Sequence, residues 1–91
     1  MVRAVHTTPR FERRLTSFVK SHQNLRTKIS SLIDRLAKNP FDPKNKTHSL
    51  SGELKGMYSA SIDKSYRIVF VMGSEAITLI NIGSHDEVYG K

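Results

Sequence analysis

The hydrophobic pattern of this 91-residue chain predicts an α+β fold of two layers, ordered β-α-α-β-β-β. Three observations lead there. Apolar residues recur twice at helical spacing in the first half, and from Met57 onward they recur with a period of two. A proline-bearing segment, Phe41 to Lys46, separates the two regimes. The late strands are consecutive and tightly turned, which makes them an antiparallel meander. The helices must bury their apolar stripe, and a face of that meander is where they can do so.

The elements follow in order. Val2, Ala4 and His6 alternate with Arg3 and Val5, which suggests a short opening strand. Thr8-Pro9 is a helix start: threonine caps the free N–H groups, and proline tolerates the first helical position, where its own N–H is not needed. Phe11, Leu15, Phe18 and Val19 then form one apolar stripe. After the polar break Ser21 to Asn24, Leu25, Ile29, Leu32, Ile33 and Leu36 repeat it until Asn39-Pro40, where proline disfavours helix in the residue before it. So short a connection makes the pair a helical hairpin. Tyr58, Ala60 and Ile62 share a strand face. Asp63-Lys64-Ser65 turns the chain, and Tyr66, Ile68, Phe70 and Met72 share the next face. After the turn Gly73-Ser74-Glu75, Ile77 and Leu79 oppose Thr78, Ile80 and Ile82 in a strand ending at Gly83.

Length and composition place residues 1–91 in one small domain. The absence of cysteine excludes a disulfide scaffold, a thiolate zinc site and a cysteine nucleophile. The longest strongly apolar run, Ile68 to Met72, is far too short to span a bilayer, and the first residues lack the apolar run of a signal peptide. A cytoplasmic protein with no membrane partner is expected. Fifteen Lys and Arg against eight Asp and Glu give a formal charge of +7. Residues 1–46 carry eleven basic and three acidic groups, whereas residues 47–91 are nearly neutral. A basic half joined to a neutral half is the footprint of a polyanion binder.

Four histidines are the side chains able to exchange protons near neutrality. His6, on the opening strand, and His22, between the helices, read as solvated polar residues. His48 precedes the glycine-punctuated stretch Leu50 to Gly56, and His85 follows the last strand, both in loops leaving the sheet. In a meander the end of the last strand meets the start of the one before it, so His85 approaches Tyr66-Arg67. Alternation points Arg67 to the face opposite the helices. A guanidinium for a phosphate, two imidazoles for protons and the Tyr89 ring for a base suit RNA cleavage. In that reaction the 2′-hydroxyl is the nucleophile and a metal is dispensable. Asp86 and Glu87, adjacent in sequence, make a poor metal pair, so neither metal nor cofactor is expected.

The segments His48 to Gly56, Tyr66-Arg67-Ile68-Val69-Phe70 and Ile82 to Tyr89 resemble the RelE/ParE superfamily of bacterial toxins, above all its YafQ-like and RelE-like mRNA interferases. The resemblance covers nearly the whole chain. It implies a RelE-like fold and an endoribonuclease acting on mRNA in the ribosomal decoding site. It also implies an acidic antitoxin that wraps the toxin in a hetero-oligomer. His48 and His85 match proposed acid/base histidines, Arg67 the arginine on the scissile phosphate and Tyr89 the terminal aromatic that orients the nucleotide. Lys55 falls in an RNA-contacting loop. Ser61 and Ser65 stand where YafQ-like toxins carry a further histidine and an aspartate, which implies a smaller site or one closer to the RelE arrangement. Arg10, Arg13, Arg14, Lys20, Arg26, Lys28, Arg35 and Lys38 are the expected RNA and ribosome contacts. Two alternatives share the scaffold or the charge: a ParE-like inhibitor of DNA gyrase and a non-catalytic RNA-binding module. Either leaves the gathering of His48, His85, Arg67 and Tyr89 unexplained.

Overall fold

The computed structural model describes residues 2–89. The chain runs through β1 (Ala4–Thr7), α1 (Pro9–Ser21), α2 (Arg26–Lys38), β2 (His48–Ser49), β3 (Tyr58–Ser61), β4 (Tyr66–Met72), β5 (Ala76–Ser84) and α3 (His85–Tyr89). Single 3-10 turns occupy Gln23–Leu25, Pro43–Asn45 and Gly52–Leu54. The strands form one sheet in the order β1-β5-β4-β3-β2. β2 to β5 make the antiparallel meander, and β1 lies parallel to β5, with Ala4 opposite Ala76 and Thr7 opposite Leu79. A parallel neighbour requires a long crossover, which here carries both helices and the rest of the sheet.

α1 starts as its sequence directs. Thr8 is extended and its hydroxyl accepts from the Phe11 N–H at 3.2 Å. The same hydroxyl donates to the Leu79 carbonyl at 3.1 Å, which ties the helix start to β5. Phe11 and Phe18 of α1, and Ile29, Leu32 and Leu36 of α2, bury their stripes against Ala60, Ile68, Phe70, Ile77 and Leu79 of the sheet. Each such side chain contributes about 1.5–3 kcal/mol when fully buried.

Four details correct the sequence reading. His48 and Ser49, expected in a loop, form an extra edge strand paired to Ser59 and Tyr58. His22 is half-buried and fully engaged: its ring stacks on Phe18 at 4.2 Å, and its nitrogens bond the Phe18 carbonyl and the Tyr66 hydroxyl, each at 3.0 Å. The segment after β5, read as a loop, is the helix α3. Ser84 and Glu87 form its capping box: the Glu87 N–H donates to Ser84 Oγ at 3.3 Å, and the Ser84 N–H donates to Glu87 Oε1 at 2.8 Å. Gly83 leaves room for this closure, since a Cβ there would lie 2.7 Å from Glu87 Oε1 and 3.0 Å from Arg14 Nη2.

The fourth concerns Ile82. Val69 faces Asn81 but Phe70 faces Leu79, so Ile80 is an extra residue in β5. This bulge reverses the alternation. Ile77, Leu79 and Ile82 therefore all enter the core cluster, whereas simple alternation assigned Ile82 to the face of Thr78 and Ile80. Asn81 and Gly83 are thereby turned to the face of Val69 and Arg67. That face is partly roofed: Val69 and Val88 are both buried yet stand outside the helix-side cluster, because α3 folds back over the meander.

Candidate active site

A cross-strand row, His48, Ser59, Val69 and Asn81, runs over the face beneath α3. Residues directly opposite in antiparallel strands share a face, so His48 stands on the side of Ser59. Ser59 has no solvent exposure and is the hub of the site. Its Oγ accepts from Arg67 Nε at 2.8 Å and lies 2.7 Å from the Tyr89 hydroxyl. Arg67 Nη2 also donates to the Lys46 carbonyl at 3.0 Å. These bonds fix the plane of the guanidinium and leave three of its five N–H donors for a ligand. The Tyr89 ring meets the His85 ring edge-on at 4.3 Å. The register places Ser84 opposite Tyr66, which brings His85 to the Arg67 end of β4. The structure thus gathers His85, Arg67, Tyr89 and, one strand beyond Ser59, His48. The imidazoles are exposed, whereas the guanidinium and phenol are half-buried and anchored from below.

The approach to His48 is held by Asn45, which is fully buried. Asn45 Nδ2 donates to the Asn39 carbonyl at 3.2 Å, and Asn45 Oδ1 accepts from Arg35 Nε at 2.8 Å. Thr47 Oγ1 donates to the Pro40 carbonyl at 2.5 Å. This knot sets Lys46 in a left-handed conformation (φ 50°) with its carbonyl on Arg67. Ser61 Oγ donates to the Asp63 carbonyl at 2.6 Å, and the Ser65 N–H donates to Asp63 Oδ1 at 2.8 Å, so both serines serve the β3–β4 turn.

The basic residues divide among several surfaces. Arg10, Arg13 and Arg14 line a cleft with Asn81 and Glu87. Arg14 Nε donates to the Ile82 carbonyl at 3.1 Å, and its Nη2 stands 3.6 Å from Glu87 Oε2. Lys20 and Arg26 border a groove between α1 and α2. Lys28 and Lys38 are exposed on α2, and Lys55 is exposed after the 3-10 turn Gly52–Leu54. Arg35 is half-buried and spends its Nε on Asn45. The Glu87 carboxyl is held below the usual carboxylate range, first by the Ser84 N–H and further by the Ser84 hydroxyl and the Arg14 charge, against a smaller desolvation effect. Among the described residues no three His, Asp or Glu side chains are gathered in a way that would hold a metal ion.

Sequence reasoning missed Ser59 and Asn81. Ser59 was accessible from register: alternation from Tyr58 and Ala60 puts it on the Arg67 face. Asn81 was not, because the bulge decides its direction.

A five-stranded sheet with two helices on one face and a short C-terminal helix on the other is the fold of RelE-like toxins. The chain belongs to the YoeB-like toxin family of bacterial type II toxin–antitoxin systems, whose family model matches residues 8–86. It is 33% identical over 58 residues to a YoeB toxin of Mycobacterium bovis, covering 64% of this chain and 68% of the relative. The crystal structure of YafQ from E. coli has a TM-score of 0.84 to it at 19% identity, covering 97% of this chain and 99% of that one. YoeB in the YoeB–YefM complex from Staphylococcus aureus has a TM-score of 0.76 at 20% identity, covering 93% and 99%. At these identities the two structures establish the shared fold.

Proposed function

We propose that this toxin is a metal-independent endoribonuclease that cleaves mRNA on the ribosome. The observation that carries the reading is the Ser59 hub, which locks Arg67 and Tyr89 beneath His85 with His48 on the adjoining strand. Such an anchored cation between exposed imidazoles suits a phosphodiester. One histidine takes the proton of the RNA 2′-hydroxyl, whose oxygen attacks phosphorus. The bond from phosphorus to the 5′-oxygen breaks, and the other histidine protonates that oxygen. The products are a 2′,3′-cyclic phosphate and a 5′-hydroxyl end. Arg67 neutralises charge on the non-bridging oxygens, and Tyr89 orients the nucleotide. Acid–base transfer of this kind contributes about 10²- to 10⁴-fold, and one positioned donor a comparable factor.

The remaining parts follow from charge. Lys55 and the α1 arginines contact RNA, and the exposed lysines of α2 contact the ribosome. An acidic antitoxin covers the basic surface in the cytoplasm. The fold relatives seen as DinJ–YafQ and YoeB–YefM complexes support such a partner, as does the charge of +7. Incubation with translating ribosomes and a defined mRNA, followed by mapping of new 5′ ends, tests the reading. New 5′-hydroxyl ends are expected; intact mRNA together with inhibited gyrase supercoiling would overturn it in favour of a ParE-like activity.

A further inference from the structure

Asn81 is a polar side chain that neither the core nor the proton-transfer chemistry uses. It is only 8% exposed. Its Oδ1 accepts from the Ile82 N–H at 2.9 Å, which settles the orientation of the amide, since the flipped form would set two donors against each other. Its Nδ2 has no hydrogen-bond partner among the described residues and borders a cleft of about 650 Å³. The bulge at Ile80 puts it there. The cleft is lined by the apolar and aromatic side chains of Leu50, Leu54, Val88 and Tyr89, by Arg10 of α1 and by the carboxylates of Glu53 and Glu87. An apolar and aromatic surface, a free amide donor that reaches the cleft and a cation are the three elements that hold a nucleotide.

We infer that this cleft is a base-reading subsite for an RNA nucleotide next to the scissile bond, selective for the keto bases guanine and uracil. This rests on the nuclease reading and adds to it the identity of a substrate base. With Oδ1 engaged by the backbone, Asn81 presents a donor to the cleft, and a donor pairs with guanine O6 or uracil O4. The selectivity belongs to the orientation that sets purine position 6 or pyrimidine position 4 against Nδ2, where the exocyclic amines of adenine and cytosine would set donor against donor. The base lies along the Leu50, Leu54 and Tyr89 side chains, and Arg10 takes its phosphate.

The test is Asn81→Asp, which keeps an acceptor for the Ile82 N–H and replaces the cleft-facing donor by an acceptor. On a pool of mRNAs randomised around the cut and presented on ribosomes, the native protein is expected to enrich G and U at one position beside the cleavage site. The variant is expected to lower that enrichment at least tenfold or shift it to A and C, with other positions unchanged. A second measurement needs no cleavage. In ¹H–¹⁵N spectra of the whole protein, GMP and UMP should shift the Asn81 side-chain amide and Arg10 Nε signals at lower concentration than AMP and CMP. Selective shifts without any cleavage would sustain the subsite and retire the nuclease. Cleavage with an unaltered base profile in folded Asn81→Asp, or equal response to all four nucleotides, would overturn the subsite.

Discussion

The Tyr89 hydroxyl and the Ser59 hydroxyl lie 2.7 Å apart, and that contact pins the C-terminal helix to β3. Arg67 Nε is a donor only, so Ser59 Oγ accepts from it, and in the contact with Tyr89 either hydroxyl can donate. One hydroxyl therefore sets both Arg67 and Tyr89, the side chains that the proposed reaction assigns to the phosphate and to the nucleotide. Ser59→Ala should lower the cleavage rate about tenfold and cost about 1–3 kcal/mol for the buried partners left unpaired. Adding Tyr89→Phe to that variant should cost little more, since the two act as a unit. Single-turnover cleavage and thermal unfolding of the four proteins measure this; fully additive losses would separate the residues.

His85→Ala should reduce mRNA cleavage by about 10²-fold or more if its imidazole moves a proton. The same change at His6, exposed on β1, should leave the rate near that of the native protein. Toxicity of the two variants on induction gives a second readout. A His85→Ala protein that cuts at the native rate would remove this residue from the chemistry.

How much of this was legible in the residues differs from element to element. The Thr8-Pro9 start and the Asn39-Pro40 stop were legible because their causes are local: a capping hydroxyl and a proline that disfavours helix before it. The face of Arg67 followed from alternation with Ile68 and Phe70. Ile82 and Asn81 did not, because the bulge at Ile80 arises from pairing across to β4 and leaves no local mark. The short α3 had its signal in Ser84-x-x-Glu87, but five residues next to a strand end also suit a loop, and helices that short depend on packing. His22 was misread for the same reason: its partner Tyr66 is 44 residues away in sequence.

Asn45→Ala should be destabilising by about 1–3 kcal/mol, because it strips a buried site of both donor and acceptor partners. The Lys46 carbonyl should then release Arg67, so the cleavage rate falls along with the melting temperature. Thermal unfolding beside cleavage kinetics below the transition checks both. A stability loss with native kinetics would show that the loop holds the fold without setting the site.

Glu87 links acidity to the docking of α3. Its carboxyl is held below the ordinary carboxylate range, so the charged form is favoured in the folded state. The sign follows: the stabilisation is complete above the ordinary range and is lost as pH falls through the lowered value. Its side chain is about half exposed, so the effect on global stability is small and the local effect is the one to measure. Amide exchange at Val88 and Tyr89 should be faster in Glu87→Gln than in the native protein near pH 6. The two proteins should converge below the carboxylate range. Equal protection at both values would mean that the Glu87 charge does not hold the helix, leaving that to Val88 and the Tyr89–Ser59 contact.

The basic residues should separate into two behaviours under charge reversal. Lys28 and Lys38 are exposed on α2, and Lys28→Glu with Lys38→Glu should weaken ribosome association. On a log–log plot against salt the dependence should flatten by about 0.7–0.9 for each phosphate that a lysine no longer neutralises. Arg35 should answer differently. Its Nε is engaged by Asn45, so Arg35→Gln should lower the melting temperature while the salt slope stays native. An unchanged slope in the double reversal would remove α2 from the ribosome-binding surface. A flattened slope in Arg35→Gln at native stability would return Arg35 to it.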